Sequence, residues 1–381
     1  MPSLTPVVKK LVLSASCLLV LASAPAFAQL PCEQLSLALA ESSNQAAASA
    51  GEPTSVRLPR DLKRGQTSPL LPTVREALGL PAEGGFDAAL QQAVKERQNA
   101  LGFTPTGILD SHTILNVLPL SSHYQAKVAE AAATQCEHVN AQLAKAMPSK
   151  FVEVNLASQT LVAYEMDSSG QAAEVLRSRV VVGAPKTQTP MDDFTLWGLK
   201  FNPGWTPTNN ILSRNVVRGG AVNSRWLASH QMRITDGNGN TVKSSEVTSS
   251  NWRKFRYHQP AGPSAALGVL KFETSSNQNI YMHDTPEKEK FDWNVRLASS
   301  GCVRVQEIDQ LARWAFNALE EHSAACEAFD KYQETVKNGI KRLPQSIPVY
   351  FTYRLVDFQE ENTPVFYADG YNRAGIPVSL E

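Results

Sequence analysis

The chain has 381 residues, of which 43% are hydrophobic, and its 36 basic residues balance its 36 acidic ones. A neutral overall charge argues against a general nucleic-acid-binding role, which needs a basic excess. The length predicts two domains at roughly 150 residues each. No segment beyond the first 28 residues has the ~20 consecutive apolar residues that a membrane span needs.

The first 28 residues have the layout of a secretory signal peptide. Two lysines precede an apolar run over residues 11–22, and Ala26-Phe27-Ala28 forms a small-x-small cleavage site. Cys17 lacks the upstream leucine of a lipoprotein signal, so we predict cleavage after Ala28. The mature protein would then be exported, with a net charge of −2 after the loss of two lysines.

Four cysteines remain after cleavage, namely Cys32, Cys136, Cys302 and Cys326. Exported proteins commonly pair their cysteines. Cys32 and Cys136 lie on helical-looking segments at the two ends of the N-terminal half, where a disulfide would staple that half together. We expect Cys302 to stay free and Cys326 to be a buried helical thiol. A disulfide between Cys302 and Cys326 is the open alternative.

The N-terminal half is predicted to be helical. Residues 29–64 hold a helix followed by a linker rich in Ala, Ser, Pro and Gly. Residues 65–120 contain three short helix patterns separated by Gly and Pro turns. Asp87 and Asp110 precede the second and third helices, where an Asp caps the free amides of the first turn. A long amphipathic helix over residues 121–148 leads to the second half.

From residue 149 the apolar spacing changes from a helical to a strand period. The segments FVEVNL, QTLVAYEM and VLRSRVVVGA alternate or are β-branched, as are the later segments GVLKFET, NIYMHD and IPVYFTYRLVDF. One helix is predicted over residues 307–321. We therefore predict an α+β multidomain protein with a mainly β, sandwich-like domain over residues 149–360 and a C-terminal tail over 361–381.

A basic insertion over residues 206–262 interrupts the strand pattern. Between Trp205 and Gly262 there are eight Lys and Arg residues against one Asp and one Glu. Such a local excess indicates an anionic ligand, although charged faces are often merely solvated.

His283 and Cys302 are the candidate catalytic pair. A thiol is a good nucleophile as the thiolate, and a neighbouring imidazole can take its proton. His283 ends the strand-like NIYMH, and Cys302 follows the turn Ser299-Ser300-Gly301, in which amides can converge on an oxyanion. The loop between them is long enough to fold back. A structural histidine is the alternative, and a metal site would lack its third and fourth ligands.

The blocks YMHDTP (281–286) and SSGCVRV (299–305) resemble the signature of the L,D-transpeptidase family, whose catalytic domain is of the YkuD type. VEVNLASQTLVAYE resembles the opening strands of that domain, VVVGAPKTQTPM its next strand and turn, and IPVYFTYRLVDF its closing strand. The resemblance covers most of residues 60–360. It is strongest to the large periplasmic YcbB-like subgroup, and it implies a periplasmic role in cell wall biogenesis and cell shape.

The resemblance implies acyl transfer between peptidoglycan tetrapeptide stems, with no metal or cofactor. Cys302 would be the nucleophile that forms a thioester and releases the terminal D-alanine, and His283 the general base and later the acid. The side-chain amine of a second stem would then complete a 3→3 cross-link. Carbapenem-type β-lactams would acylate the same thiol.

The remaining site residues also follow from the resemblance. The Tyr281 hydroxyl and the Cys302 amide would serve the oxyanion hole, Gly301 would shape it, and Arg304 would support the site or substrate. Ser300 stands where many relatives have a second His. The family orients its catalytic His through a backbone carbonyl, and strand alternation points the Asp284 side chain away from His283.

Two further segments resemble parts of that subgroup. Residues 65–120 resemble a helical peptidoglycan-binding repeat, which implies wall tethering. The insertion lies where the subgroup carries its substrate-capping segment, so a lid that grips stem carboxylates is expected, with the candidate residues Trp226, Trp252, Arg253 and Lys254.

Two other functions remain open from the sequence. A wall-peptide L,D-carboxypeptidase would use the same thioester but resolve it with water. A non-catalytic peptidoglycan-binding scaffold would keep the fold alone. The sequence also leaves open whether the acceptor is another stem or a lipoprotein lysine.

Overall fold

A computed structural model of the protein describes residues 54–59, 61–146, 148–167, 171–218, 221–358 and 363–380. The predicted signal peptide with Cys17 and the predicted N-terminal helix with Cys32 lie outside these ranges. Within them, no helix has the length and apolarity that crossing a membrane requires.

The first part of the described chain is mainly helical. Its elements are β1 (Thr54–Ser55), β2 (Asp61–Leu62), α1 (Leu71–Ala77), α2 (Ala88–Ala100), β3 (Leu109–Asp110), α3 (Ser111–Leu115) and α4 (Ser122–Ala146). Helices α1 to α3 bury their apolar side chains in a small core of their own around Val74, Leu90 and Ile114. The three short helices and the long helix predicted from the sequence are therefore present.

Both predicted helix caps are confirmed. The Asp87 carboxylate accepts a hydrogen bond from the Leu90 amide at 2.9 Å, and the Asp110 carboxylate accepts one from the Thr113 amide at 2.8 Å. Each bond satisfies an amide that has no carbonyl partner in the first helical turn.

The second part of the chain forms a nine-stranded sheet. Its first four strands are β4 (Lys150–Asn155), β5 (Thr160–Met166), β6 (Ala172–Gly183) and β7 (Phe194–Phe201). The strands lie in the order β14 (Leu297–Ser299), β6, β15 (Val303–Val305), β13 (Met282–His283), β12 (Leu270–Thr274), β7, β16 (Gly339–Thr352), β4 and β5. Strand β5 pairs in addition with β6, which closes the sheet on itself. The mainly β prediction is confirmed, but the sandwich-like arrangement is replaced by a closed, barrel-like sheet.

The insertion follows β7 and folds around its own apolar cluster. Its regular elements are α5 (Asn209–Asn215), β8 (Val217–Arg218), β9 (Ala221–Val222), α6 (Ser224–Ser229), β10 (Arg233–Thr235) and β11 (Arg256–His258). The cluster includes Leu212, Leu227 and Tyr257. At the neck of the insertion, the Asn202 amide donates to the Val269 carbonyl at 2.8 Å.

The remaining elements complete the sheet and cover it. They are β12 (Leu270–Thr274), β13 (Met282–His283), β14 (Leu297–Ser299), β15 (Val303–Val305), α7 (Ile308–Ala315), α8 (Ala324–Thr335), β16 (Gly339–Thr352), β17 (Val356–Phe358), β18 (Pro364–Phe366) and β19 (Ser379–Leu380). Helix α7 ends earlier than predicted, and Asn317 just beyond it has a left-handed φ of 56°, which a continuing α-helix does not allow.

The segment expected to be a C-terminal tail is part of the folded core. Phe366 and Tyr371 are buried within the main apolar cluster, and β19 pairs with β1 through Thr54 and Leu380. This segment is therefore packed into the core and does not form a separate tail.

Candidate active site

Strands β13 and β15 bring the predicted catalytic pair onto one face of the sheet. They run parallel, with Met282 opposite Val303 and His283 opposite Arg304, and the Val303 amide donates to the Tyr281 carbonyl at 2.9 Å. Side chains alternate between the two faces of a strand. This register therefore puts Tyr281, His283, Cys302 and Arg304 on the same face.

His283 is buried and held in one tautomer. Its Nδ1–H donates to the backbone carbonyl of Asp284, which leaves Nε2 with a free lone pair because a carbonyl oxygen can only accept. Burial lowers the pKa of His283 to about 4, with the nearby charge of Arg304 acting in the same direction. The imidazole is therefore neutral at pH 7 and can accept a proton at Nε2.

The Asp284 side chain has its own partners away from the imidazole. Its carboxylate accepts from the Val269 amide at 3.0 Å and pairs with Lys288. Gly268 approaches this carboxylate so closely that an added Cβ would lie 2.2 Å from Asp284 Oδ2, and its φ of +60° also favours glycine. The backbone carbonyl of Asp284 thus orients His283, and the Asp284 carboxylate bonds to Val269, which follows the insertion in the chain.

Cys302 is a free, half-buried thiol. Burial raises its pKa, whereas a hydrogen bond with the Tyr281 backbone and the charges of Lys271 and Arg304 lower it. The alternative disulfide between Cys302 and Cys326 is therefore wrong. Cys326 is buried on α8 as predicted, but Cys326 and Cys136 each take part in a disulfide bond, so the prediction of a Cys326 thiol is also wrong. The expected partner of Cys136, Cys32, lies outside the described residues.

The turn before Cys302 is fixed by a short hydrogen-bond network. Gly301 has a φ of +122°, a conformation that glycine adopts without a Cβ clash. The Ser299 hydroxyl accepts from the Gly301 amide at 3.1 Å and donates to the Cys302 carbonyl at 2.6 Å. Ser300 is exposed at the tip of this turn.

Lys271 and Glu273 are site residues that the sequence reasoning missed. Lys271 lies opposite His283 in the β12–β13 ladder, and its Nζ is 3.5 Å from the ring centroid of Tyr281. Its ammonium group pairs with Glu273 at 2.9 Å, and each side chain is 12% exposed. The signal was present in the alternation LKFET, which puts both side chains on one face of β12.

Arg304 shares the site face but is engaged in an ion pair. It bonds to Glu287, which also pairs with Lys290 at 2.6 Å. These contacts give Arg304 a positioned charge near both His283 and Cys302. Burial raises the pKa of Tyr281, and the charge of Glu273 adds to this effect, so its hydroxyl keeps its proton and can donate.

The loop from His283 to Cys302 folds back and contacts the helical part of the chain. The Asn294 side chain accepts from the Thr104 amide at 2.9 Å and donates to the Asp110 carboxylate at 3.0 Å. Arg296 is buried and donates to backbone carbonyls that include Val180 at 3.1 Å. The folding back was predicted from the sequence, but the roles of Asn294 and Arg296 were not.

The four predicted lid residues occupy different positions in the insertion. Trp252 is 3% exposed and belongs to the apolar core of the insertion, so it does not present its ring to a ligand as predicted. Trp226 is half-buried and packs on His230 with ring centroids 4.5 Å apart. Arg253 and Lys254 are exposed, and the Arg253 guanidinium lies 4.3 Å from the Trp252 ring centroid.

Comparison with known proteins gives a family match over most of the β-rich second part of the chain. Residues 149–320 match the family model of the YkuD L,D-transpeptidase catalytic domain. A Haemophilus influenzae protein described as "Putative L,D-transpeptidase" is 33% identical over 184 residues, which are 47% of this chain and 36% of that protein. The chain thus spans about a third of the length of this curated relative.

Two solved structures are similar over a comparable share of the chain. A mutant of the Enterococcus faecium L,D-transpeptidase matches with 14% identity and a TM-score of 0.25, covering 54% of this chain and 50% of its own. The Mycobacterium smegmatis L,D-transpeptidase matches with 12% identity and a TM-score of 0.24, covering 54% and 58%. The sequence match therefore makes residues 149–320 similar to the YkuD L,D-transpeptidase catalytic domain.

Proposed function

We propose that this protein is a peptidoglycan L,D-transpeptidase that forms 3→3 cross-links through a thioester on Cys302. The observation that carries the proposal is that neutral His283 on β13 and free Cys302 directly before β15 share one face of the sheet, within the residues that match the YkuD domain. A free thiol beside an imidazole with an available Nε2 is the arrangement needed for nucleophilic acyl transfer.

The first half-reaction releases D-alanine. The Cys302 sulfur attacks the carbonyl carbon of the third stem residue, a diamino acid, and its proton passes to His283 Nε2. Because burial favours the uncharged form of both groups, the proton moves during the attack. The protonated His283 then gives this proton to the departing amide nitrogen, the C–N bond breaks and a thioester remains.

The second half-reaction forms the cross-link. The side-chain amine of another stem attacks the thioester carbonyl, and His283 accepts a proton from the attacking nitrogen. Collapse of the tetrahedral intermediate breaks the C–S bond and returns a proton to the sulfur. The Tyr281 hydroxyl and the Cys302 amide stabilise the oxyanion in both halves, with Gly301 shaping the turn, Ser300 at its tip and Arg304 supporting the site.

The other parts of the chain are proposed to deliver the substrate. Arg253 and Lys254 offer exposed positive charge to stem carboxylates from an insertion that joins the sheet beside His283. The helical segment over residues 65–120 would tether the enzyme to the wall. Export through the predicted signal peptide would place the protein in the periplasm, where its donor and acceptor stems occur.

Incubation with purified tetrapeptide stems, followed by mass spectrometry, tests the proposal. We expect a tripeptide adduct on Cys302, free D-alanine and a cross-linked dimer, none of which Cys302→Ala should give. A shortened stem without dimer would assign a carboxypeptidase instead. Wall binding without any adduct would leave only the scaffold function, and a carbapenem adduct on Cys302 would report the reactivity of the thiol independently.

A further inference from the structure

The carbonyl of Gly301 is anchored by a buried hydroxyl. Thr189, which has no exposed surface, donates from Oγ1 to this carbonyl at 2.8 Å. The same oxygen accepts a hydrogen bond from the Gly183 amide at 2.9 Å. Thr189 therefore joins the end of β6 to the turn that carries the nucleophile.

This bond sets the direction of the Cys302 amide. The Gly301 carbonyl and the Cys302 N–H belong to one planar trans peptide unit, in which the two groups point in opposite directions. An anchor on the carbonyl therefore holds the N–H pointing away from Thr189. We propose that Thr189 is a positioning residue for the oxyanion hole and that Tyr371, in the C-terminal segment, holds Thr189 in place. This inference rests on the proposed acyl transfer and deepens it.

Tyr371 closes the network from the other side. Its hydroxyl donates to the Gly183 carbonyl at 2.6 Å and accepts from the Thr189 amide at 3.3 Å. The amide of Tyr371 donates to the Tyr353 hydroxyl at 2.8 Å, and the two rings stack at 5.8 Å. We call Gly183, Thr189 and Tyr371 the Thr189 brace.

Further contacts fix the loop that carries Thr189. Arg373 donates to the Thr189 carbonyl at 2.7 Å, and the Gln188 amide group donates to the Tyr371 carbonyl at 3.0 Å. At Gly183 an added Cβ would lie 2.0 Å from the Thr187 carbonyl oxygen, so the loop closes onto the strand at a distance that only glycine permits. The brace is thus built of buried, mutually satisfied groups.

The inference predicts that acylation and alkylation of Cys302 respond differently to loss of the brace. Acylation by 4-nitrophenyl acetate or by a tetrapeptide stem develops an oxyanion, whereas alkylation by iodoacetamide does not. Thr189→Val removes the hydroxyl at nearly constant volume. We expect the ratio of its acylation rate to its alkylation rate to fall by about tenfold, less than the ~10²–10³-fold that complete loss of an oxyanion donor costs, because the Cys302 amide is misdirected but not removed.

Three matched variants separate positioning from general damage. Thr189→Ser keeps the hydroxyl and should restore the ratio to within about threefold of wild type. Tyr371→Phe keeps the stacked ring but loses the hydroxyl, and should lower the ratio less than Thr189→Val does. Thr187→Val removes a hydroxyl of the same loop that bonds to the Ser299 carbonyl at 2.8 Å, and should leave the ratio unchanged.

The outcomes distinguish this inference from the proposed function. An unchanged ratio in Thr189→Val, including the case in which acylation and alkylation slow equally, would overturn the positioning role. Failure of Thr189→Ser to restore the ratio would overturn it as well. Wild-type protein that reacts with the ester but not with the stem would overturn the proposed function alone. Wild-type protein that is alkylated but acylated by neither probe would overturn both.

Discussion

Lys271 is the residue whose importance the structure adds to the site. Its ammonium group lies over the Tyr281 ring, and Lys271 lies opposite His283, so a fixed positive charge lies on the same face of the sheet as Cys302. The charge of Lys271 lowers the pKa of the Cys302 thiol and thus opposes the effect of burial. Removal of this charge should leave a thiol that ionises less readily.

We predict that Lys271→Gln raises the pKa of Cys302, because the positive charge that lowers it is lost, and slows its alkylation at pH 7 by about three- to tenfold. The pH dependence of iodoacetamide alkylation, followed by mass spectrometry, measures this directly. Lys200→Gln is the control, because Lys200 lies one strand farther away, opposite Lys271. An equal shift in both variants would show that the effect is not local.

The sequence predicts the candidate reacting residues, whereas the residues that surround them emerge only from the structure. Cys302, His283 and Tyr281 were found because they form a compact block with a recognisable turn. Lys271 and Glu273 were missed because alternating Lys and Glu on a strand usually mark a solvated face. Only the register that puts β12 beside β13 shows that this face is the site, and strand pairing is not encoded locally.

At the scale of elements, the insertion is a small folded unit with charge on its outside. Its apolar cluster holds Trp252 in the interior, and Arg253 and Lys254 project from the same turn into solvent. Exposed charges of this kind contribute little to folding but can attract an anionic ligand. Their removal should therefore affect substrate use more than stability.

We predict that the double variant Arg253→Glu/Lys254→Glu lowers kcat/KM for tetrapeptide stems by about tenfold, since two attractive charges become repulsive. The Tm should fall by only a few degrees, because the exposed cation–π contact between Arg253 and Trp252 adds only ~1 kcal/mol to the free energy of unfolding. Steady-state kinetics and thermal unfolding measure the two effects. Lys331→Glu/Lys337→Glu, two exposed sites elsewhere, is the control, and equal kinetic loss in both pairs would contradict a lid role.

Elements with strong apolar periodicity were predictable, and those fixed by distant contacts were not. Strands β4, β5 and β6 and the long helix α4 were predicted close to their observed bounds. The supposed C-terminal tail carries Tyr371 into the core, yet its sequence has no regular period because tertiary hydrogen bonds define its path. Trp252 was misassigned because an aromatic residue in a polar segment does not show whether it faces a core or a ligand.

At the scale of the whole molecule, the helical first part of the chain contacts the β-rich second part through buried polar groups. His112 accepts from the Ala368 amide at 3.0 Å through Nδ1, so its Nε2 carries the proton toward Gln159. Burial lowers the pKa of His112 to about 4, as it does for His283. Both imidazoles are therefore neutral in the folded protein at pH 7.

These two histidines predict a loss of stability in mild acid. Between pH 6.5 and about 4 they bind protons in the unfolded chain but not in the folded protein, so the free energy of unfolding falls as pH decreases through this window. Each shift corresponds to roughly 3 kcal/mol at its full extent. Urea unfolding at pH 7 and pH 5 measures the loss.

The variant His112→Gln tests the origin of this pH dependence. It removes one of the two titrating groups, so the difference in unfolding free energy between pH 7 and pH 5 should shrink by about half, whatever its effect at pH 7. His322→Gln is the control, because the His322 side chain is 89% exposed. An unchanged difference in His112→Gln would assign the acid sensitivity to other groups.

The general architecture could be predicted from the sequence, but the closure of the sheet into a barrel could not. A helical first part and a mainly β second part follow from the change in apolar period near residue 149. The pairing of β5 with β6 that closes the sheet, and the Asn294 contacts that join its two halves, depend on residues far apart in the chain. Such contacts leave no periodic trace.

The two ends of the insertion lie side by side, so another segment could replace it without a change in the sheet. The described residues of the insertion pack around their own core, and the Asn202–Val269 bond closes its base. Under the proposed lid role, a graft between these two points would change which peptides bind without moving His283 or Cys302. Such a graft would have to keep Gly268, whose missing Cβ makes room for Asp284, and the bond from the Gly204 amide to Asn338 Oδ1. Under the proposed function, substrate selectivity and thiol reactivity would therefore depend on separate parts of the chain.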